Sequence, residues 1–346
     1  MASAFARIQA LVDLAPNDAL PSRAALETAA ASLPPSLPPT GLGEDAVEAH
    51  LLADLVPGFN GPKTSANYYG FVTGGVLPIA EFADHLVTAF DQNVQVHLPE
   101  QSISTAVEDR ALRALVDLLG LDEGWQGRTF TTGATGANIL GLACGREAVI
   151  QKRLASAGEP GVGELGLLAA CMRAGITEIQ VLTAMGHSSL YKAASVVGLG
   201  RGAVKDIGSG PQQPWRIDVD LLQGELQRDG VASIVVLSAG EVNTGRFSTS
   251  GSSEMQQIRD LCDKYNAWLH VDGGMYFLLL TVVTHFLVVC AIPTTLPVYM
   301  LMLSDRVQHL GCLPAACLRP LSSPTSSNAY QGSNSPTLLP ATDIKC

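Results

Sequence analysis

Between Arg128 and Asp272 the chain repeatedly changes its period. Short runs suited to strands (Thr129 to Thr132, Glu178 to Thr183, Ala203 to Ile207, Ser233 to Leu237, Trp268 to Val271) alternate with stretches of helical length (Asn138 to Arg153, Ser188 to Val197, Asp218 to Gln227, Ser253 to Tyr265). Strands separated by helix-length crossovers pair in parallel, because a tight turn cannot return the chain to the same end of a sheet. The predicted class is therefore α/β, with a mostly parallel sheet covered by helices on both faces. Ligands of such sheets meet the loops at the C-terminal ends of the strands, so the residues following each apolar run are the first candidates for function.

The residues before this region read as helical. Ser22 is placed to cap a helix over Ala24 to Ser32, which the prolines of Leu33 to Pro39 then stop. Residues 1–60 are thus expected to form a helical arm with a Pro-rich hinge. Residues 44–55 and 78–92 carry apolar side chains at helical spacing, and so does Ser104 to Leu119, where Ala106, Leu112, Leu115, Val116 and Leu119 are expected to share a face.

With 346 residues and 47% hydrophobic composition the chain can bury a substantial core. Its net charge of -11, with no stripe of Lys and Arg, excludes a general nucleic-acid binder and favours a small-molecule ligand. Seven cysteines without a CxxC pair suggest neither a disulfide framework nor a zinc site, and no metal is expected. Residues 1–30 lack the apolar core of a secretory signal, so a cytoplasmic protein is expected.

Three strand-end segments carry candidate chemistry. Thr131 to Asn138 joins a strand to a helix through Gly133 to Gly136, a loop where small residues let backbone N–H groups and the Thr135 hydroxyl approach a phosphate. It is equally a tight turn of small residues, and it is not a Walker loop, since no Gly-Lys-Ser/Thr follows. His187 stands where a strand gives way to a helix, able either to stack on a flat ring or to cap the helix. Asp272 ends the apolar run Ala267 to Val271, where a carboxylate needs a cation, a donor or a helix to cap.

Taken in order, Thr132-Gly133-Ala134-Thr135-Gly136, His187, Glu241-Val242-Asn243-Thr244-Gly245 and His270-Val271-Asp272 resemble the pyridoxal-phosphate-dependent amino-acid decarboxylases of group II, which include the aromatic-amino-acid and glutamate decarboxylases. The resemblance covers roughly residues 45–274, beginning near Asn67-Tyr68-Tyr69-Gly70-Phe71. It implies the type I, aspartate-aminotransferase-like fold, with residues 61–274 as an incomplete cofactor-binding large domain. It also implies pyridoxal 5'-phosphate as cofactor, an L-amino acid as substrate and a homodimer. Ala134 and Thr135 would then hold the phosphate, His187 would stack on the pyridine ring, Thr244 would lie at the cofactor edge, and Asp272 would keep the ring nitrogen protonated. Tyr68 and Tyr69 would face the substrate, or simply pack, and Asn93 to Pro99 would line the same cleft. Aminotransferases and other lyases share this cofactor site, so the reaction is less fixed by it than the cofactor.

The same resemblance calls for a Schiff-base Lys after the strand-end Asp, typically in a His-Lys pair, and none is present: beyond Asp272 the only lysine is Lys345. The remaining strands of the sheet and the small C-terminal domain are expected to be missing, leaving an open sheet edge. Residues 275–346 change language, from an apolar, uncharged run over Tyr276 to Leu303 to a Pro- and Ser-rich tail expected to be disordered. The apolar run can be read as a transmembrane tail, as a divergent core segment, or as translated intron. The third reading is preferred, because Gly274-Met275-Tyr276 can be encoded by GGT ATG TAT, which contains the intron donor GTATGT. On this reading the chain is inactive. A membrane-tethered pseudoenzyme that dimerises with an active homologue is the alternative.

Overall fold

Every residue of Val231–Ser238 is buried, the result expected of a strand paired on both edges and covered on both faces. The computed structural model describes residues 4–15, 17–70, 75–121, 124–154 and 159–274, together with the backbone of 300–304. In chain order its main elements are α1 (Ala4–Leu14), α2 (Arg23–Ser32), α3 (Glu44–His50), α4 (Pro78–Ala89), α5 (Ser104–Leu118), β1 (Gly127–Thr131), α6 (Ala134–Gln151), α7 (Val162–Leu165), α8 (Leu167–Arg173), β2 (Glu178–Thr183), α9 (Ser188–Val196), β3 (Val204–Asp206), α10 (Val219–Leu226), β4 (Val231–Ser238), α11 (Ser252–Lys264), β5 (Trp268–Asp272) and β6 (Met300–Ser304).

The main sheet has the order β3-β2-β4-β5 with every pair parallel, so all four strands end at one edge. Alternation along the strands divides the core. On one face Val181, Ile234 and Val236 pack with Leu142, Val149 and Ile150 of α6 and with Leu190, Ala193 and Ala194 of α9. On the other, Leu182, Val235 and Leu237 pack with Leu222 and Leu226 of α10 and with Ile258 and Cys262 of α11. Burial of the Cys262 thiol in this layer pushes its pKa up to about 12, which keeps it an inert apolar filler.

Local signals explain the boundaries. The Ser22 hydroxyl accepts from the Ala25 N–H to start α2, and the Asp218 carboxylate accepts from the N–H groups of Asp220 and Leu221 to start α10. The predicted helix over residues 44–55 is observed as α3 continued by a wider turn at Leu51–Leu55.

The loop expected at Gly133 to Gly136 is shorter than the sequence suggests. Gly133, with φ +135°, makes the turn alone, and α6 begins at Ala134. On α5, Leu112, Leu115, Val116 and Leu119 are buried as expected, but Ala106 is exposed. Six residues before Leu112, it lies roughly 120° away around the helix.

Met300–Ser304 corrects the expectation that all later strands are missing. It pairs in parallel with β1, from Gly127 opposite Met300 to Thr131 opposite Ser304. An uncharged run of strand length thus supplies a partner to an edge that would otherwise be free. Residues 276–299, the bulk of the stretch considered as a membrane span, lie outside the described residues, as does the tail 305–346. Among the described residues no helix is long and apolar enough to cross a membrane.

Candidate functional site

Asp272 closes β5 opposite Ser238 of β4, so its side chain emerges at the shared C-terminal edge of the sheet. The N–H of Ala239 donates to the Asp272 carbonyl at 2.9 Å and fixes the strand end. The carboxylate is half-buried: Oδ2 accepts from Asn138 Nδ2 at 3.1 Å, and Oδ1 accepts from the Gly274 N–H at 3.3 Å.

Asn138, in the second turn of α6, is only 2% exposed, and its amide is used at both ends. Nδ2 also donates to Ser189 Oγ at 3.0 Å, and Oδ1 lies 2.9 Å from His270 Nε2. Because a carboxylate only accepts, the amide must turn its nitrogen to Asp272 and its oxygen to His270, which therefore carries its proton on Nε2. Desolvation against α6 depresses the His270 pKa, while the charge of Asp272 opposes it.

His187 is the N-cap of α9. Its Nδ1 accepts from the Ser189 N–H at 3.2 Å and lies 2.7 Å from Ser189 Oγ, while the ring is exposed. The capping role is therefore real. Through Ser189 and Asn138 the ring is also linked by hydrogen bonds to Asp272. The loop that delivers His187 is tightly made: Met185 adopts φ +47°, and its N–H donates to Asp206 Oδ2 at 3.1 Å.

Ala134 and Thr135 are exposed in the first turn of α6, whose cap, Gly133, has no side chain to satisfy the leading N–H groups. A β-carbon built on Gly274 would lie 3.9 Å from that of Ala134, so the chain leaving Asp272 runs past the start of α6. An anion at these N–H groups would sit beside the strand-end carboxylate.

After β4, the loop over residues 239–247 is organised by Glu241, which is 3% exposed. Its carboxylate accepts from the N–H groups of Thr244 and Asn243 and from Asn243 Nδ2. Burial alone would raise its pKa, but these donors outweigh that and hold it below the ordinary carboxylate value.

The structure thus brings Ala134, Thr135, His187 and Asp272 to one sheet edge. Thr244 lies at the same edge, exposed and held by Glu241, with no hydrogen bond to the Asp272 network among the described residues. Among the described residues no hydrogen bond links either tyrosine to the Asp272 network. Tyr68 accepts from Asn60 Nδ2 at 3.2 Å, and Tyr69 is 85% exposed. In the segment from Asn93 to Pro99, His97 bonds Thr105 at 2.7 Å. Sequence reasoning gave no role to Asn138, Ser189 or His270. The available signal was an Asn four residues before Leu142, on the buried stripe of an apolar helix. Among the described residues no cluster of His, Cys, Asp and Glu could hold a metal ion.

No family model matches the chain. It is similar to L-2,4-diaminobutyrate decarboxylase of Acinetobacter baumannii, 25% identical over 205 residues, which are 57% of this chain and 38% of that protein. The chain therefore spans well under two thirds of that relative's length. Among solved structures, it is similar to the glutamate decarboxylase domain of the diaminobutyrate-pyruvate transaminase and L-2,4-diaminobutyrate decarboxylase from Vibrio parahaemolyticus, with a TM-score of 0.63, 22% identity, and coverage of 79% of this chain and 56% of that one. Oryza sativa TDC with PLP and tryptamine gives a TM-score of 0.59 at 21% identity, covering 78% and 55%. The fold is accordingly the α/β fold of type I pyridoxal-phosphate decarboxylase domains.

Proposed function

We propose that this chain carries the pyridoxal 5'-phosphate site of an L-amino-acid carboxy-lyase. The observation that carries this reading is the placement of Asp272: a strand-end carboxylate held by Asn138 on one oxygen, beside the uncapped N-terminus of α6. The donor set fits the group. The leading N–H groups of α6 and the Thr135 hydroxyl suit a phosphate dianion, Asp272 suits a protonated ring nitrogen, and the exposed imidazole of His187 suits a flat ring. When bound, the cofactor supplies an electron sink for the bond that loses CO₂. Asp272 keeps the ring nitrogen protonated, His187 orients the ring, and the α6 N-terminus anchors the phosphate. Thr244 edges the site, and Tyr68 and Tyr69 contribute from the substrate side. The names of the similar proteins support decarboxylation of an amino acid.

A polypeptide of these 346 residues does not turn over on this reading, because beyond Asp272 the sequence holds no lysine but Lys345. Of the lysines near the sheet, Lys205 is engaged with Glu178 and Gln180 at 2.7 Å each, and Lys264 lies over the ring of Tyr265. The active form of the protein continues differently after Gly274, and sequencing the transcript across codons 260–290 tests this: a spliced message encoding a downstream His-Lys supports it, and a message reading through Met275 as written overturns it. Residues 61–274 form the cofactor-binding domain and residues 1–60 an arm. Two copies associate, consistent with exposed apolar side chains at Phe82, Leu86, Val87, Phe90 and Val96.

Titration of the chain with pyridoxal phosphate, followed by borohydride reduction and peptide mapping, tests the site. Reversible binding without a fixed adduct is expected, and Asp272→Asn should weaken it by about tenfold or more, since a hydrogen bond to a charged group contributes roughly 1.5–3 kcal/mol. Binding indifferent to Asp272→Asn, or an adduct at Lys192, Lys205 or Lys264, refutes the assignment.

A further inference from the structure

Four side chains from three elements, Asp272 of β5, Asn138 of α6, and Ser189 and His187 at the start of α9, form one continuous run of hydrogen bonds. The carboxylate at one end and the backbone N–H that reaches His187 Nδ1 at the other give the run one consistent direction. A carboxylate has no proton to give, so Asp272 Oδ2 accepts from Asn138 Nδ2 at 3.1 Å. The amide nitrogen only donates, so its second N–H goes to Ser189 Oγ at 3.0 Å. A hydroxyl that accepts there still has its own proton to give, and His187 Nδ1 lies 2.7 Å away. The backbone N–H of Ser189 reaches the same nitrogen at 3.2 Å, an approach that requires Nδ1 to be bare. Asn138 and Ser189 are each only 2% exposed, which shields the middle of the run from water.

We propose that Asn138 is a positioning residue that sets the proton sense of His187. Anchored on the carboxylate of Asp272, it turns the Ser189 hydroxyl toward His187 and leaves the neutral imidazole protonated on Nε2. The consequence for chemistry rests on reading this edge as the cofactor site: the exposed ring then offers an N–H donor, not a lone pair, from its free nitrogen. The direction of the run itself does not depend on that reading.

Nitrogen-15 NMR of the imidazoles in the full 346-residue chain without cofactor, at a pH high enough to leave each ring neutral, tests the proposal. The expected result is a bare Nδ1 and a protonated Nε2 on His187. A His187 protonated at Nδ1 overturns it. The double variant Asn138→Asp with Asp272→Asn keeps shape, charge and the number of hydrogen bonds while reversing the run. The new carboxylate at 138 accepts from the residue at 272, from His270 and from the Ser189 hydroxyl, whose lone pair then faces His187. His187 should switch to the Nδ1–H form. If its proton stays on Nε2, the cap of α9 alone sets the tautomer and Asn138 has no such role.

Should the swapped chain fail to fold, Asn138→Ala gives the same decision. Loss of the amide frees the Ser189 hydroxyl and should move the His187 Nδ1 resonance toward the protonated form, and an unmoved Nδ1 resonance overturns the proposal. A parallel pyridoxal phosphate titration separates the two readings. Absence of binding with His187 in the expected tautomer refutes the cofactor site and leaves the role of Asn138 standing.

Discussion

Gly141 of α6 sits directly against the ring of His270, so that a β-carbon added to it would lie 2.4 Å from Cε1 and 2.6 Å from Nδ1. One turn later Gly145 meets Trp268 in the same way, at 2.8 Å from Cδ1. The i, i+4 spacing of the helix thereby matches the i, i+2 spacing of one face of β5. Two missing side chains let the helix approach the strand closely enough for Asn138 to reach both His270 and Asp272.

Gly141→Ala should therefore destabilise the fold, although the same change in an open helix gains about 1 kcal/mol. Overpacking of this kind costs about 1–3 kcal/mol, and the effect should be read from the urea midpoint at unchanged slope. A variant as stable as the parent would show that helix and strand are not in this close contact.

The depressed pKa of His270 makes stability depend on pH in a defined direction. The unfolded chain takes up a proton near the ordinary imidazole value, about 6.5, while the folded state resists it, so the unfolded state binds more protons and stability falls as pH drops through this range. Carboxylates held low in the fold, such as Glu178 and Glu241, add their own loss only below about 4.5. Denaturation midpoints from pH 7.5 to 5 should decline in the parent and decline less in His270→Gln. Equal slopes in the two proteins would remove His270 as the cause.

Glu241→Ala strips the loop over residues 239–247 of its central acceptor and leaves the N–H groups of Asn243 and Thr244 without it. A loss of about 1–3 kcal/mol is expected, with the Thr244 amide exchanging faster while amides within β4 keep their rates relative to global unfolding. Unchanged exchange at Thr244 would mean that the loop is held by something other than this carboxylate.

The alternation of periods in the sequence was enough to place β2 and the helices on either side of β4, because apolar spacing reports directly on which faces are covered. Asp272 and His187 were legible for a related reason: a charged or polar residue that ends an apolar run must find partners at the strand edge. Asn138 and Ser189 were not, since their roles arise from contacts 51 and 134 residues apart in sequence that no local pattern encodes. Tyr68 and Tyr69 differ in kind: a short motif alone suggests the substrate side for them, and the hydrogen bond that Tyr68 accepts from Asn60 is local to the arm. The pairing of β6 with β1 was also invisible, because an uncharged run admits a helix, a strand or a membrane span on composition alone.

Among the described residues, β5 is hydrogen-bonded along one side only, to β4, yet it carries both His270 and Asp272. The chemistry is thus mounted on the rim of the sheet while the hydrophobic mass is centred on β4. A local opening that peels five residues away would dismantle the carboxylate, its amide partner and the ordering of His187 together, without melting the core. Ligand affinity at this edge and global stability are then separate quantities, and a substitution along β5 can abolish the first while barely moving the second.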